Sequence, residues 1–154
     1  MLRMALTHPS VAHESGPGSS VPHNQRLEFL GDAVLQLVLT RELYMKFPAY
    51  GEGPLTKARA QLVNRRMLAE HGKRLEIGQY LQLSRGEEMS GGRDRQSSLA
   101  DAYEAVVGAL FLDSNYDVAR DFILREFHEV FGGLQVLPTI DNPKGELQEM
   151  LQAA

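Results

Sequence analysis

The sequence predicts an all-α domain, on three observations. Apolar residues recur with helical spacing over residues 25–46, 55–71, 97–112 and 116–131. No segment of convincing length alternates apolar with polar residues as a half-buried strand does. The chain has 154 residues, of which 43% are hydrophobic and 23% are charged. That length and composition suit one domain with a substantial core.

The amino-terminal part is predicted to be a short helix and a loop ahead of the first long helix. Residues 2–8 have a helical pattern that Pro9 should stop, because proline cannot continue a helix. Residues 12–23 are rich in Gly, Ser and Pro, which predicts a polar loop. Asn24 is a suitable N-cap for the helix over residues 25–46.

Glycine residues are expected to end the later elements. Gly72 should close the helix over residues 55–71, because glycine adopts the backbone conformation of a helix C-terminus. The glycine-containing segment 86–96 should be a flexible loop. The helix over residues 116–131 should stop at residues 132–133.

Composition excludes several classes of protein. The chain has no cysteine, which excludes disulfides, zinc–thiolate sites and a cysteine nucleophile. No run of about 18 apolar residues is present, so no membrane span is predicted. Residues 1–9 lack the apolar core of a secretory signal. A cytoplasmic protein with no membrane partner and no small-molecule cofactor is therefore expected.

The charge is unevenly distributed. The chain has a net charge of −4, yet residues 57–95 contain nine Lys or Arg and five acidic residues. A basic middle beside acidic flanks is typical of a face that follows phosphates next to a metal site. Charge alone nevertheless favours the plainer interpretation, a set of solvated helix faces, because most charge runs are no more than that.

Four carboxylates lie on two otherwise apolar helices. Glu28 and Asp32 are four residues apart, and Asp101 and Glu104 are three apart, so each pair shares one helix face. Burying an ionised carboxylate costs several kcal/mol unless it is neutralised, paired or bound to metal. Oxygen ligands without thiols or histidines suit Mg²⁺ or Mn²⁺. The pattern therefore predicts a metal site and metal-assisted attack of water on a phosphodiester or similar group.

Other interpretations of these residues are weaker. One acid pair on a helix usually lies on the surface, as expected for Asp117 and Asp121, but two embedded pairs favour a site. A di-iron bundle needs Glu-x-x-His motifs, and no histidine here follows a Glu at that spacing. His8 is expected to be structural, and His71 and His128 are expected to be exposed.

Four blocks of the sequence resemble the ribonuclease III family. Residues 24–35 read NQRLEFLGDAVL, which closely resembles the family's signature motif. The block before it, ALTHPS at residues 5–10, is also similar. Further similarity lies in EGPLT with RAQLV, and in LADAYEA with GALFLD. The match covers about residues 4–131 with the motifs in the family's order.

The resemblance implies a dimeric, all-helical endonuclease domain. Such domains cut double-stranded RNA and leave 5′-phosphate and 3′-hydroxyl ends with short 3′ overhangs. They act in RNA processing such as the maturation of ribosomal precursors. The implied partners are therefore double-stranded RNA and a second copy of the chain, and the implied cofactor is Mg²⁺, with Mn²⁺ as a substitute.

The resemblance also assigns roles to particular residues. The family's metal-site acids correspond to Glu28, Asp32, Asp101 and Glu104, of which Asp32 and Glu104 correspond to the acids usually named catalytic. Glu52 matches an acid that supports the cleavage site of the partner subunit. Phe29 matches an aromatic residue that docks into the partner at the dimer interface.

Three features depart from the family pattern. Gln25 stands where many members have Glu, and it cannot supply a charge. Most members have another helix before residues 5–10. Residues 134–154 resemble a linker and the first residues of a double-stranded-RNA-binding domain. The expected organisation is thus an endonuclease domain over residues 1–133, followed by a truncated second domain.

Two other functions remain open from the sequence. One is a non-catalytic RNA-binding or ribosome-associated domain on the same fold, although such a domain is expected to lose acids of the inner set. The other is an unrelated all-α phosphohydrolase acting on small phosphates, which would show no preference for duplex RNA.

Overall fold

The computed structural model describes residues 1–14 and 21–134. These two ranges contain ten helices and no strand, and Thr7 and Gln82 form an isolated parallel bridge. The predicted all-α fold is confirmed. The helices are α1 (Leu2–Ala5), α2 (Pro9–Glu14), α3 (Gln25–Lys46), α4 (Glu52–Leu62), α5 (Arg65–Arg74), α6 (Ile77–Tyr80), α7 (Arg85–Met89), α8 (Gln96–Asp113), α9 (Tyr116–Glu126) and α10 (His128–Gly133).

The two longest helices, α3 and α8, form the centre of the domain. They pack extensively against each other, and α5 packs on α8. Helix α3 contributes Leu35 and Leu39 to the core, α8 contributes Tyr103 and Val107, and the turn after α9 contributes Phe127, all fully buried. Each such side chain stabilises the fold by about 1.5–3 kcal/mol. The core therefore fixes the two helices that carry the four predicted acids.

The amino-terminal prediction is partly wrong. Pro9 ends no long helix but begins α2, because proline is favoured at the first helical position, where its missing N–H is not needed. The predicted loop over residues 12–23 accordingly starts later, since residues 12–14 are helical. Helix α3 begins after Asn24 as predicted, but the Asn24 side chain makes no capping bond.

The predicted helix over residues 55–71 is two helices. Asn64 interrupts it, because the Asn64 Oδ1 atom accepts a hydrogen bond from the Met67 N–H and starts α5. Gly72 does not end a helix, contrary to the prediction, but lies within α5. A Cβ atom at Gly72 would be 2.9 Å from the Leu99 carbonyl oxygen, so this glycine permits the close approach of α5 and α8.

The segment expected to be a flexible loop is ordered by side chains. Ser84 Oγ accepts from the Glu87 N–H and begins α7. Arg93 then donates to the carbonyl oxygens of Gly78 and Leu81 at 2.7 and 2.9 Å, and pairs with Glu88 at 2.6 Å. The Arg93 side chain therefore joins the segment 86–96 to α6. The glycine content of the segment does not predict this contact.

The carboxyl-terminal part is only partly described. The predicted helix over residues 116–131 divides at Phe127 into α9 and α10, and α10 ends at Gly133. The predicted linker and RNA-binding segment, residues 134–154, lie outside the described residues except for Leu134. None of the described helices is long and apolar enough to cross a membrane.

Candidate metal centre

Three carboxylates from α3 and α8 converge. One carboxylate oxygen each from Glu28, Asp101 and Glu104 lies within 4.8 Å of the others. All three residues are half-buried. The two helices approach so closely at Gly31 that a Cβ atom built there would lie 1.8 Å from the Glu104 carbonyl oxygen. Only glycine fits at this position, and the close approach brings the three carboxylates together. Gly108 similarly admits the backbone of Leu27. The crossing of two helices at glycines thus builds the site.

Asp32 lies beside this cluster but not within it. Both Asp32 carboxylate oxygens accept a hydrogen bond from Gln36 Nε2, each at 2.9 Å. The charge of Asp32 nevertheless raises the pKa of Glu104 and, more weakly, that of Glu28. Of the four acids predicted from the sequence, the structure brings three together and places Asp32 beside them, hydrogen-bonded to the Gln36 amide.

The cluster is electrostatically unfavourable without a cation. Burial, followed by repulsion from Asp32, Glu28 and Asp101, raises the pKa of Glu104 from 4.5 to about 8. Burial is also the main cause of the raised pKa values of Glu28 and Asp101. A bound cation would relieve both the desolvation and the repulsion.

The donor set fits a hard divalent cation. It consists of carboxylate oxygens only, which is the ligand type that Mg²⁺ and Mn²⁺ prefer. The half-burial of the three residues distinguishes them from exposed acid pairs such as Asp117 and Asp121, which bind Arg120. Glu28, Asp101 and Glu104 could thus hold a metal ion.

A cation that the sequence did not indicate lies near the cluster. Arg26 is adjacent to Glu28 in the chain, but the positive charge that opposes the rise in the pKa of all three clustered acids is that of Arg65, and His8 also opposes the rise for Asp101. Arg65 is the first residue of α5. Because α5 is remote in sequence from both acid pairs, no motif or spacing could have identified this residue.

Glu52 and Phe29 lie apart from the carboxylate cluster. Glu52 is the exposed first residue of α4 and accepts a hydrogen bond from Thr56 Oγ1 at 2.8 Å. It lines a cavity of about 500 Å³ formed by residues of α3, α4 and the segment between them. Phe29 follows Glu28 on α3, and 81% of its surface is exposed. Gln25, the departure from the family pattern, is exposed at the start of α3.

The expected exposure of His71 is wrong. His71 is 2% exposed and packs against the rings of Tyr103 and Phe127. Burial lowers its pKa to about 4, and Arg74 contributes. Its charged neighbours on α5, Glu70 and Lys73, are exposed, so the local sequence did not indicate its burial. His128 is exposed, as expected.

His8 is half-buried, and its ring is held locally. The Nδ1 atom of His8 lies 2.8 Å from Ser10 Oγ and accepts from the Ser10 N–H. Burial lowers its pKa, while Glu87 and Asp101 oppose that shift. These local contacts agree with the structural role expected for it.

Five of the nine cations in the basic middle of the chain are engaged by other side chains. Four of its cations form ion pairs with acids of the same region or of α9: Lys73 with Glu70, Arg74 with Glu126, Arg93 with Glu88, and Arg95 with Glu87. Arg59 donates to Thr40 Oγ1. The predicted phosphate-binding face is therefore narrower than the charge count indicated.

The fold and the cluster define an all-α domain with a carboxylate site competent to hold a divalent cation. The family model described as Ribonuclease-III-like matches residues 1–130. The chain therefore belongs to the ribonuclease-III-like family.

Curated relatives and solved structures agree with this assignment. "Ribonuclease 3" of Heliobacterium modesticaldum is 48% identical over 151 residues, covering 98% of this chain and 63% of the relative. "Ribonuclease 3" of Syntrophomonas wolfei is 48% identical over 153 residues, covering 99% and 64%. The chain thus spans somewhat less than two thirds of these relatives.

The described helices also superimpose on solved structures. A nuclease domain of ribonuclease III from Campylobacter jejuni has a TM-score of 0.77 and 40% identity, covering 85% of this chain and 87% of that one. Dicer from Pichia stipitis has a TM-score of 0.66 and 27% identity, covering 97% of this chain and 66% of that one. The carboxylate site therefore lies on the fold of a ribonuclease III nuclease domain.

Proposed function

We propose that the chain is a metal-dependent endoribonuclease that cleaves double-stranded RNA. The products would be 5′-phosphate and 3′-hydroxyl ends with short 3′ overhangs, and the role would be RNA processing, including that of ribosomal precursors. The observation that carries the proposal is the cluster of Glu28, Asp101 and Glu104 in a chain of the ribonuclease-III-like family. The relatives named "Ribonuclease 3" support it.

In this proposal all four acids form the metal site, and two of them are also catalytic. Glu28, Asp101 and Glu104 hold Mg²⁺, or Mn²⁺ in its place, and Asp32 completes the metal site. Bound to these carboxylates, such an ion would supply Lewis-acid chemistry, making a nucleophile available from water at neutral pH and stabilising charge on the leaving oxygen. Asp32 and Glu104 are the proposed catalytic residues. The two bonds from Gln36 fix the orientation of Asp32, and the raised pKa of Glu104 lets it hold a proton until a cation binds.

The duplex would be recognised by its shape. The major groove of an A-form helix is too deep and narrow for side chains to read, so a protein contacts mainly the phosphates and the 2′-hydroxyls of the shallow minor groove. Binding should therefore depend on salt and only weakly on sequence.

A homodimer is the second part of the proposal. Helix α3 presents an exposed stripe of residues three or four apart: Phe29, Ala33, Leu37, Thr40 and Tyr44. The large members of this α3 stripe are 58–81% exposed. A second copy of the chain packed against the α3 stripe would bury these exposed side chains. In the Campylobacter jejuni nuclease domain, one region is involved in dimer formation.

Two-fold symmetry would relate Phe29 of one copy to the cavity beside Glu52 of the other. In an isologous contact of two antiparallel α3 helices, an axis near Leu37 would bring Phe29 of one copy towards Tyr44 of the other. Phe29 and Tyr44 are about 22 Å apart along α3, and Tyr44 lines the cavity together with Glu52. If Phe29 of one copy docks into this cavity of the other, Glu52 of the copy that supplies the cavity would be carried towards the carboxylate cluster of the copy that supplies Phe29. This supports the proposed role of Glu52 in the cleavage site.

The proposed organisation keeps the division at residue 133. Residues 1–133 would be the nuclease domain, and residues 134–154 a linker and the beginning of a double-stranded-RNA-binding domain. Helix α10 ends at Gly133, which agrees with a boundary there.

A cleavage assay tests the function. An end-labelled RNA duplex and its separate strands are incubated with the chain in Mg²⁺ and in EDTA, and product ends are identified by their reactivity towards kinase and phosphatase. The proposal predicts cutting of the duplex alone, and only with the metal. Binding without cutting would instead indicate a non-catalytic RNA-binding domain, and cutting in EDTA would contradict the metal site.

A further inference from the structure

Arg65 occupies a fixed position next to the carboxylate cluster. It begins α5, and the Asn64 side chain sets that start by accepting from the Met67 N–H and donating to the Gln61 carbonyl at 2.6 Å. Helix α5 packs along α8, the helix that carries Asp101 and Glu104. The backbone that holds Arg65 is therefore anchored to the helix that supplies two of the three clustered acids.

The charge of Arg65 acts on all three clustered acids. It opposes the rise in the pKa of Glu28, Asp101 and Glu104, which no other Arg or Lys of the described residues does for these groups. Its guanidinium thus lies within electrostatic reach of the whole cluster.

Arg65 is also free to bind an anion. Its side chain is exposed and forms no hydrogen bond or ion pair with the described part of the chain. By contrast, Arg74, Arg93 and Arg95 are engaged with Glu126, Glu88 and Glu87. The first turn of α5 contains no acid, so nothing within that turn neutralises the charge. A guanidinium in this state matches the geometry of a phosphate, which it can bind through two parallel hydrogen bonds.

We propose that Arg65 binds a phosphate of the RNA strand beside the cleavage site and so positions the scissile bond over the carboxylate cluster. This inference rests on the proposed function. Once the carboxylates hold a cation, Arg65 is released from their field and its charge is available to the incoming strand. Arg65 is then a positioning residue, acting on the substrate and not on the metal.

The test uses Arg65→Gln in single-turnover cleavage of a labelled duplex at saturating enzyme and saturating Mg²⁺. Loss of a charge-assisted bond that matters in cleavage should slow the reaction about tenfold to a hundredfold. Arg65→Lys keeps the charge and should recover part of the rate. Arg125→Gln removes the same charge from α9, where Arg125 lies over the Phe122 ring, and should leave the rate within about twofold.

The Mg²⁺ dependence separates this role from simple neutralisation of the acids. Removing a cation near the cluster should lower the Mg²⁺ concentration at half-maximal rate in either case. The proposal further requires that the rate at saturating Mg²⁺ falls. An unchanged or higher saturated rate for Arg65→Gln would overturn it. Absence of cleavage by the unmodified chain would instead overturn the proposed function, so the two failures are distinguishable.

Discussion

Gly31 of α3 lies directly against the backbone of Glu104 in α8. A Cβ atom built on Gly31 would stand 1.8 Å from the Glu104 carbonyl oxygen and 2.9 Å from the Gly108 nitrogen. Because backbone cannot move aside as a flexible side chain can, this contact sets the distance between the helices. That distance in turn brings Glu28 within reach of Asp101 and Glu104.

Replacing Gly31 should damage both the fold and the metal centre. Gly31→Ala must push α3 away from α8, and such overpacking should lower the free energy of unfolding by about 3 kcal/mol. It should also weaken Mn²⁺ binding, because the carboxylates are separated. Urea denaturation measures the first effect, and titration calorimetry with Mn²⁺ measures the second.

Gly86→Ala is the matched control for this substitution. Gly86 lies in α7, and a Cβ atom there would meet nothing within 4 Å. The control should keep the stability and metal affinity of the unmodified chain. Equal behaviour of the two variants would show that the close crossing does not set the site.

The contribution of Glu104 to the stability of the metal-free chain should decline as the pH rises. The folded-state pKa of Glu104, about 8, lies above its ordinary value of 4.5. The folded state therefore binds the proton more tightly, and stability from this group declines between pH 4.5 and about 8. With allowance for partial exposure of the carboxyl, the effect is on the order of 1–2 kcal/mol.

Mg²⁺ should reverse this loss, so the rise in Tm on replacing EDTA by Mg²⁺ should be larger at pH 8 than at pH 5.5. Thermal melts at the two pH values measure it. In Glu104→Gln, which cannot ionise, the melting temperature in EDTA should depend less on pH. A gain from Mg²⁺ that is the same at both pH values would contradict the link between Glu104 and the metal.

His71 should make the fold sensitive to acid. Its pKa of about 4 lies below the unfolded value of 6.5, because its ring is buried against Tyr103 and Phe127 and lies beside Arg74. The stability that depends on neutral His71 is complete above pH 6.5 and is lost as the pH falls towards 4. Because Glu104 acts in the opposite sense between pH 4.5 and 6.5, the loss is measured in EDTA against a variant that lacks the His71 titration.

His71→Phe provides the comparison. It keeps an aromatic ring and removes the titration, so the difference in Tm between this variant and the unmodified chain should shift in the variant's favour as the pH falls. His128→Phe is the control, since His128 is exposed. A pH-independent difference for His71→Phe would show that His71 is not held neutral by the fold.

Phe29 should control the oligomeric state. Phe29→Glu places a charge on the exposed α3 stripe, and an interface that must desolvate it should fail. Sedimentation equilibrium at micromolar concentration should give about twice 17.2 kDa for the unmodified chain and 17.2 kDa for the variant. Met89→Glu is the control, because Met89 is 79% exposed on α7, away from the α3 stripe. A dimer that survives Phe29→Glu would contradict the proposed interface.

The sequence alone predicted the two helices that carry the carboxylate site, α3 and α8. Helix α3 has the predicted bounds, and α8 extends the prediction by one residue at each end, because both have long apolar patterns. The four acids were found because charge is conspicuous on a helix that is otherwise buried.

What the sequence could not provide depends on contacts between distant segments. Asn64 divides a continuous helical pattern because its side chain offers the backbone another hydrogen-bond acceptor. His71 is buried by rings from α8 and the end of α9, neither of which its own helix predicts. Arg65 reaches the cluster only through the packing of α5 on α8. Such relationships leave no local pattern in the chain.

Cleavage by Glu104→Gln tests the central claim, that the clustered carboxylates perform metal-dependent cutting of duplex RNA. The substitution keeps the size of the side chain and removes the carboxylate charge of Glu104, the acid whose pKa is raised to about 8. At a protein concentration that gives equal duplex binding, the variant should cut a labelled duplex in Mg²⁺ at least about a thousandfold more slowly than the unmodified chain. Glu129→Gln on α10 should cut normally. Undiminished cleavage by Glu104→Gln would contradict the account.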